Sequence, residues 1–195
     1  MNDWFWEPLR EVLKPNGNVE ESFAGDFPRQ AAVMVLLTDE VEPQLVYTLR
    51  AKHLNQHAGE VCFPGGKWEP QDSSLLTTAL RETHEEIGLS PNMIDVLGAL
   101  PARPTKSGAM VQPFVGKISA DCRFDLNLHE LETLFTVPLD AFRQGLQIRT
   151  DVFERHGKRF RIPAYVYQNY EIWGFTAGIT SELLNLLQSF VFDKR

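Results

Sequence analysis

Three glutamates close together in the chain are the residues whose spacing most directly indicates chemistry. Glu82, Glu85 and Glu86 stand at positions i, i+3 and i+4, so on a helix their carboxylates project from one face. Like charges at this spacing repel one another by roughly 0.2–0.5 kcal/mol per pair even in solvent. Carboxylate oxygens are hard ligands, and Mg²⁺ or Mn²⁺ would neutralise them. The cluster is therefore either a metal site or a solvated acidic helix face.

Two neighbouring features favour the metal site over the solvated face. Arg81 lies one turn before Glu85, where it can orient that carboxylate and partly offset its charge. A glycine pair, Gly65 and Gly66, precedes the helix, and glycine lets a backbone approach other groups closely. The carbonyl oxygen of Gly66 could thus add a further metal ligand.

A helix must position these carboxylates, and the sequence marks both of its ends. Residues 72–74 are good N-cap types, and Gly88 is a good stop. Apolar or small residues recur at helical spacing between them and predict one buried stripe. The residues of this predicted stripe are Leu76, Leu80, Thr83 and Ile87. The glutamates lie roughly 140° from its centre, so we expect the helix to pack on one side and to offer carboxylates on the other.

The segment 65–89, GGKWEPQDSSLLTTALRETHEEIGL, resembles a Nudix box, written G-x5-E-x7-R-E-U-x-E-E-x-G-U with U apolar. The part from Arg81 to Leu89 matches, with Thr83 in an apolar position. The front part has Asp72 in place of the first glutamate, and its spacing to Arg81 is one residue longer. This departure is similar to the coenzyme A pyrophosphatase-like subgroup of Nudix hydrolases. Upstream residues that also match the subgroup are Thr48, Leu49, Arg50, Leu54, His57, Gly59, Phe63 and Pro64.

The resemblance implies a fold and an activity. The fold is an α/β/α sandwich with a mixed β-sheet, in a single domain over residues 1–195 of which 1–30 are not covered. The activity is metal-dependent hydrolysis of a diphosphate linkage, with coenzyme A cut to 3′,5′-ADP and 4′-phosphopantetheine. Another Nudix substrate, such as ADP-ribose, a dinucleoside polyphosphate or an oxidised nucleotide, is an alternative. A nucleotide-sensing module without catalysis is a further one, although the intact glutamates argue against it.

The resemblance also implies roles for individual residues. The metal ligands would be Glu82, Glu85, Glu86 and Gly66. The catalytic residues would be Arg81, Glu82, Glu85 and the distal glutamate Glu130, for which Glu132 is the alternative. The substrate-binding residues would be Arg50, His57, Gly65, Gly66 and Lys106. For Arg50, the place in the motif favours phosphate binding or anchoring of its loop over a plain surface charge. Arg103 and Lys52 are further candidates for substrate phosphates, with a surface charge or a polar loop as the alternative.

The overall composition limits the partners of the chain. A content of 43% hydrophobic and 23% charged residues in 195 residues is typical of a globular protein, and one domain is the default. The net charge of −7 argues against nucleic acid as a partner, because binding of its backbone needs a basic surface. Two cysteines, Cys62 and Cys122, are too few for a disulfide framework or a zinc site and are predicted to be buried thiols. We find no basic leader and no apolar run of about 18 residues, so we expect a cytoplasmic location without a membrane partner. The oligomeric state stays open.

The other elements alternate strands with loops. The predicted strands are 31–37, 44–50, 60–63, 96–100, 111–118 and a segment that ends at 138, followed by a hairpin over 150–162 with its turn at 156–157. The first strand is apolar throughout, which predicts a central position. Pro113 lacks a backbone N–H, so its strand is predicted to be bulged or at an edge.

Helices are predicted at both ends of the chain. A short helix ends at Leu13, and we expect it to dock on the domain through Trp4, Phe5 and Leu9. A loop over 15–29 follows it. The last helix is amphipathic and begins within the segment 172–177.

Overall fold

The computed structural model describes residues 3–13, 29–155 and 157–188. The helices are α1 (Asp3–Leu13), α2 (Leu75–Ile87), α3 (Leu139–Arg143) and α4 (Gly174–Leu187), with a short 3-10 helix at Pro91–Met93. The strands are β1 (Gln30–Thr38), β2 (Gln44–Arg50), β3 (Val61–Cys62), β4 (Gly65–Lys67), β5 (Asp95–Ala99), β6 (Arg103–Pro104), β7 (Met110–Ile118), β8 (Leu131–Pro138), β9 (Gln147–Arg155), β10 (Lys158–Tyr167) and β11 (Tyr170–Ile172). The predicted loop residues 15–28 and the turn residue at 156 lie outside the described residues.

The strands form a mixed sheet of eight and a second sheet of three. The order in the first is β3-β2-β1-β7-β5, with β4 paired to β1, β6 to β7 and β8 to β2. β1 and β7 are parallel, whereas the other pairs are antiparallel. The second sheet has the order β11-β10-β9. The predicted central position of the first strand is confirmed.

An opening lies between β1 and β2 at one end of the sheet. The two strands are in register at Leu37 and Leu45, and beyond that point β3 pairs with β2 while β4 pairs with β1. The segment 61–67 therefore crosses from β2 to β1 through the opening. The N–H of Met34 in β1 donates to the carbonyl of Pro64 at 2.8 Å, which fixes this crossing segment.

Helices cover both faces of the mixed sheet. Alternate β1 residues Ala32, Met34 and Leu36 pack in the apolar cluster that contains α2 residues. The intervening residues Val35 and Leu37 pack in a second cluster with α1 and α4. Because both faces of β1 are buried, its sequence is apolar throughout rather than alternating. The layered α/β arrangement predicted from the sequence is confirmed.

The buried face of α2 differs from the predicted stripe by a small rotation. Leu75 and Ala79 are buried, together with Thr83 and Ile87 as predicted. Leu76 and Leu80 are half-buried and border the cluster, so the predicted burial of these two residues holds only in part.

α1 docks on the domain as predicted, but through a different tryptophan. Phe5, Leu9 and Leu13 are buried, whereas Trp4 is 50% exposed. Trp6 takes the buried place because its indole Nε1 can donate to Asp39 at 2.9 Å while its rings pack inside.

Pro113 lies in an internal strand, so the predicted edge or bulged position was wrong. β7 has β1 on one side and β5 on the other. The carbonyl of Pro113 accepts from the N–H of Leu100 at 3.0 Å, beyond the end of β5. The N and O atoms of one strand residue point to the same side, so the nitrogen of Pro113 also faces the β5 side. At this position the pairing with β5 has ended, and the missing N–H therefore costs no hydrogen bond of the sheet.

The structure also bears on the predictions for the two cysteines and for membrane-spanning helices. Cys62 and Cys122 are free thiols but are half-buried, not fully buried. No helix in the described segments is long and apolar enough to span a membrane.

The docking of α1 gives a stability test. Leu9→Ala should lower the free energy of unfolding by about 2–5 kcal/mol, because it leaves a cavity at a fully buried position. Val12→Ala on the same helix is the control, since Val12 is 48% exposed, and should change it by less than about 0.5 kcal/mol. Urea denaturation of both variants measures the difference. Equal effects at the two positions would contradict the docking.

Candidate active site

The helix that carries the glutamates is capped at both ends as predicted. Ser74 is the N-cap, and its hydroxyl oxygen accepts from the N–H of Thr77 at 3.1 Å. Gly88 ends the helix with φ of 70°, a left-handed conformation that glycine adopts without steric cost. The helix thus begins and ends where local sequence requires, and the packing of its buried face sets the rotation of Glu82, Glu85 and Glu86 about its axis.

Arg81 is the centre of a carboxylate network. Its Nε and Nη2 each donate to the carboxylate of Asp72 at 2.9 Å, in a bidentate pair. Its Nη1 donates to Glu82 and to Glu85, both at 3.0 Å. Nη2 also donates to the carbonyl of Lys67 at 3.1 Å. The predicted contact with Glu85 is present, and the guanidinium ties the helix to the strand that holds the glycine pair.

Asp72 holds Arg81 from a buried position. The Arg81 guanidinium is the largest cause that lowers the pKa of this carboxyl, to about 2. The Thr78 hydroxyl and the Glu69 N–H also donate to it, at 2.9 and 3.1 Å. The aspartate that replaces the usual glutamate of the box therefore still reaches the arginine.

Glu82 lies directly against the glycine pair. A Cβ atom at Gly66 would stand 2.3 Å from the Glu82 carboxyl carbon, so any side chain at residue 66 would displace this carboxylate. Burial is the largest cause that raises the pKa of Glu82 above its ordinary value, and Arg81 opposes it. The close approach explains in physical terms why glycine stands at this position.

Glu86 is buried, which corrects the expectation that all three glutamates face away from the packed side. The carboxylate is 2% exposed and accepts from the N–H of Gly65 at 3.1 Å. Arg50 Nη1 lies 3.4 Å from its other oxygen. Burial raises the pKa of Glu86 to about 8, and the Gly65 N–H and the Arg50 charge act against this. The partners of Glu86 come from the crossing segment and β2, so helical periodicity alone could not place it.

Glu130 lies near these carboxylates, at the start of β8. Its charge is among the influences that raise the pKa values of Glu82 and Glu86. Asn127 Nδ2 donates to the Glu130 carboxylate at 3.3 Å. The backbone carbonyl of Glu130 accepts from the N–H of Ala51 at 2.8 Å. The alternative, Glu132, is exposed and pairs with Lys52 at 3.6 Å.

Arg50 reaches the cluster, whereas His57 stays in its own loop. Among the described residues, Arg50 Nε is the buried side-chain nitrogen or oxygen atom that lacks a hydrogen-bond partner. Its backbone N–H and carbonyl bind Glu60 and Gly59, which closes the loop between them. His57 Nδ1 lies 2.8 Å from the Glu60 carboxylate, and its side chain is 67% exposed.

Two basic side chains of the segment after β5 contact residues in the C-terminal part of the chain. Lys106 Nζ lies 4.7 Å from the centre of the Phe153 ring. Arg103 Nε donates to Glu182 of α4 at 2.7 Å. Arg103 and Glu182 are 79 residues apart in the sequence, so no local sequence pattern could have indicated their ion pair.

An open cavity of about 420 Å³ lies beside Glu130. Its lining residues are Ala51, Lys52, His53, Leu128, Leu131 and Glu132. Lys52 lines this cavity with its side chain 78% exposed.

The donor chemistry of the cluster fits a hard divalent cation, although the side chains do not converge on one point. In the described part of the chain, no three His, Cys, Asp or Glu side chains form a group that could hold a metal ion as they stand. Glu82 and Glu85 turn to Arg81, and Glu86 turns to Gly65. Burial raises the pKa of Glu82 and Glu86, so a cation among these oxygens would be favourable.

Comparison with known proteins decides the family. A model of the NUDIX domain matches residues 28–148. The chain belongs to the Nudix family. A protein of Cronobacter sakazakii named Uncharacterized Nudix hydrolase NudL is 42% identical over 156 residues, 80% of this chain and 81% of the relative. The NudL of Citrobacter koseri is 38% identical over 174 residues, 89% of this chain and 88% of the relative.

The family assignment agrees with the fold and gives the class of enzyme. The solved structure of a MutT/nudix family protein from Enterococcus faecalis superposes with a TM-score of 0.57 at 16% identity, over 87% of this chain and 65% of that chain. This Nudix hydrolase is thus a pyrophosphohydrolase, and Nudix hydrolases generally use divalent metal ions.

The Asp72–Arg81 pair predicts a loss of stability in acid. The folded pKa of Asp72 is lowered to about 2 from 3.8, so its stabilisation is complete above about pH 4 and is lost as the pH falls towards 2. Asp72→Asn should therefore lower the free energy of unfolding by about 2 kcal/mol at pH 7. The difference from the parent should vanish near pH 2.

Urea unfolding at several pH values measures this difference. Asp95→Asn is the control, because Asp95 also pairs with an arginine, Arg10, but at a half-exposed site. A difference for Asp72→Asn that stays constant from pH 7 to pH 2 would contradict the account.

Proposed function

We propose that this Nudix hydrolase cleaves the diphosphate linkage of coenzyme A, giving 3′,5′-ADP and 4′-phosphopantetheine. The observation that carries the proposal is the contact of Arg50 with Glu86. Arg50 belongs to the upstream set that distinguishes the coenzyme A pyrophosphatase-like subgroup, and Glu86 belongs to the Nudix box. Their contact supports one site in which the subgroup residues border the carboxylates.

Glu82, Glu85, Glu86 and the Gly66 carbonyl would hold Mg²⁺ or Mn²⁺. When bound, the ion would neutralise phosphoryl oxygens and lower the pKa of a water molecule. Glu82 and Glu85 would turn towards the ion and exchange for it the hydrogen bond from Arg81 Nη1, which donates to one oxygen of each. Asp72 keeps Arg81 in place during that exchange, because its bidentate pair uses Nε and Nη2.

Glu130 is the proposed general base. One weak hydrogen bond, from Asn127 at 3.3 Å, leaves its carboxylate with accepting capacity. A water oxygen attacks phosphorus, the bridging P–O bond breaks, and the water proton passes to Glu130. The bridging oxygen leaves with the other phosphate as a stable anion.

Arg50 would contribute positive charge on the substrate side. Its Nε is buried without a partner in the described residues, and an unpaired buried donor costs roughly 1–3 kcal/mol. The side chain as a whole is 23% exposed, and its accessible part would meet a phosphate oxygen of the substrate. Gly65 uses its N–H for Glu86 rather than for substrate, so its role as a substrate residue is through orientation of that carboxylate. His57 and Lys106 remain proposed contacts at the edge of the site.

We also infer a single domain and a cytoplasmic location. One apolar cluster contains residues of α1, β1, β2 and α4, which supports one folding unit. The free thiols Cys62 and Cys122 are consistent with a reducing compartment.

The role of Glu86 can be tested with a shape-conserving change. Glu86→Gln should lower kcat/KM about a hundredfold or more, because it removes a charge that binds the metal. It should also reduce the rise in melting temperature that Mg²⁺ produces in the parent and EDTA reverses. Glu132→Gln, at an exposed glutamate nearby, is the matched control. Parent-like activity of Glu86→Gln would remove Glu86 from the site.

The substrate assignment predicts recognition of the 3′-phosphate. Coenzyme A should exceed its 3′-dephospho form by at least about tenfold in kcat/KM, because a charge-assisted hydrogen bond contributes roughly 1.5–3 kcal/mol. Lys52, which lines the cavity, and Lys106, which lies against Phe153, are the candidate cations, since Arg103 is bound to Glu182. Lys52→Gln or Lys106→Gln should erase the preference and leave dephospho turnover nearly unchanged.

The assay compares both forms with ADP-ribose and nucleoside triphosphates in Mg²⁺ and in Mn²⁺. Lys117→Gln is the control, because Lys117 lies against Trp6 of α1. Turnover of neither coenzyme A form, beside rapid hydrolysis of ADP-ribose or nucleotides, would overturn the coenzyme A assignment and leave the family assignment intact.

A further inference from the structure

A buried hydroxyl of α4 binds the strand that leads into the glycine pair. Thr176 Oγ1 donates to the carbonyl of Val61 at 2.9 Å, and both residues are buried. β3 consists of two residues, Val61 and Cys62, which pair with β2. So short a strand forms few hydrogen bonds with its neighbour in the sheet. The hydrogen bond from Thr176 is therefore a large fraction of the hydrogen bonds that hold β3 in place.

The strand held by Thr176 continues directly to the carboxylates. Four residues after Val61, the N–H of Gly65 donates to Glu86 at 3.1 Å. Between them, the carbonyl of Pro64 accepts from Met34 at 2.8 Å. The crossing segment 61–67 is thus fixed near its start by α4 and at its middle by β1. The hydrogen bond from Thr176 therefore sets where the segment begins, three residues before its contact with β1 and four before the N–H that binds Glu86.

A second threonine one turn later on α4 makes its hydrogen bonds outside the crossing segment, although its partner Tyr47 stacks on Phe63 of that segment. Thr180 is fully buried, and its Oγ1 lies 2.8 Å from the hydroxyl of Tyr47 in β2. It also donates to the carbonyl of Thr176 at 3.0 Å. Thr180 therefore matches Thr176 in residue type, helix and burial, but its partner does not lie on the crossing segment.

We propose that Thr176 is a positioning residue for the carboxylate cluster. Through Val61 it fixes the crossing segment, and through Gly65 that segment sets the direction of Glu86. Hydrogen-bond strength falls steeply with misalignment, so a small shift at Gly65 would weaken the hold on a ligand carboxylate. The inference rests on the metal ligands assigned under the proposed function.

The test uses the full-length chain and Mn²⁺ as the probe, without substrate. Electron paramagnetic resonance gives the Mn²⁺ affinity of the parent, Thr176→Val, Thr176→Ser and Thr180→Val, and melting in EDTA gives their stability. Thr176→Val should lose about 2–4 °C in melting temperature, because it loses one buried hydrogen bond, and Thr180→Val should lose at least as much, because it loses two. Thr176→Val should bind Mn²⁺ about fivefold to tenfold more weakly, the size of one such bond.

The controls separate positioning from stability. Thr180→Val should bind Mn²⁺ within about twofold of the parent, and Thr176→Ser, which keeps the hydroxyl, should match the parent. If Thr176→Val fails to fold, Thr176→Ala serves the same comparison.

Three results would overturn the inference. Equal Mn²⁺ affinities of Thr176→Val and Thr180→Val would reduce Thr176 to a core contact. A Thr176→Ser variant as weak as Thr176→Val would show that the hydroxyl is not the cause. A parent that binds no Mn²⁺ would instead overturn the ligand assignment on which the inference rests.

Discussion

The burial of the Glu86 carboxylate against the Gly65 N–H is the interaction on which the rest of the site depends. A buried carboxylate is costly unless donors or cations surround it, and its raised pKa expresses that cost. The opening between β1 and β2 provides the donors, because the crossing segment brings Gly65 to α2 while β2 ends at Arg50. The site is therefore a consequence of how these strands diverge.

The charge on the same helix is partly offset by one arginine that is itself held by a carboxylate. Asp72 binds the Nε–Nη2 edge of Arg81, which leaves Nη1 for Glu82 and Glu85. This division of donors gives the two glutamates a cationic partner without fixing them through a bidentate pair. The arrangement suits ligands that can exchange an internal partner for a metal ion, as in the proposed chemistry.

Local features of this fold could be predicted from the sequence, and long-range ones could not. The caps at Ser74 and Gly88 and the Arg81–Glu85 contact follow from spacing within a few residues. Helical periodicity assigned Glu86 to the solvent side because charged residues usually avoid burial. Its partners come from β2 and the crossing segment, and only the tertiary structure brings them together.

Pro113 shows the same limit in a strand, since its tolerance depends on where β5 ends.

The most direct measurement is diffraction from crystals of the full-length chain grown with Mn²⁺, collected where manganese scatters anomalously. The account predicts an anomalous peak among the carboxylates of Glu82, Glu85 and Glu86 and the carbonyl of Gly66, with Glu82 or Glu85 turned away from Arg81. A peak elsewhere on the molecule, or none at a Mn²⁺ concentration that supports hydrolysis, would contradict it.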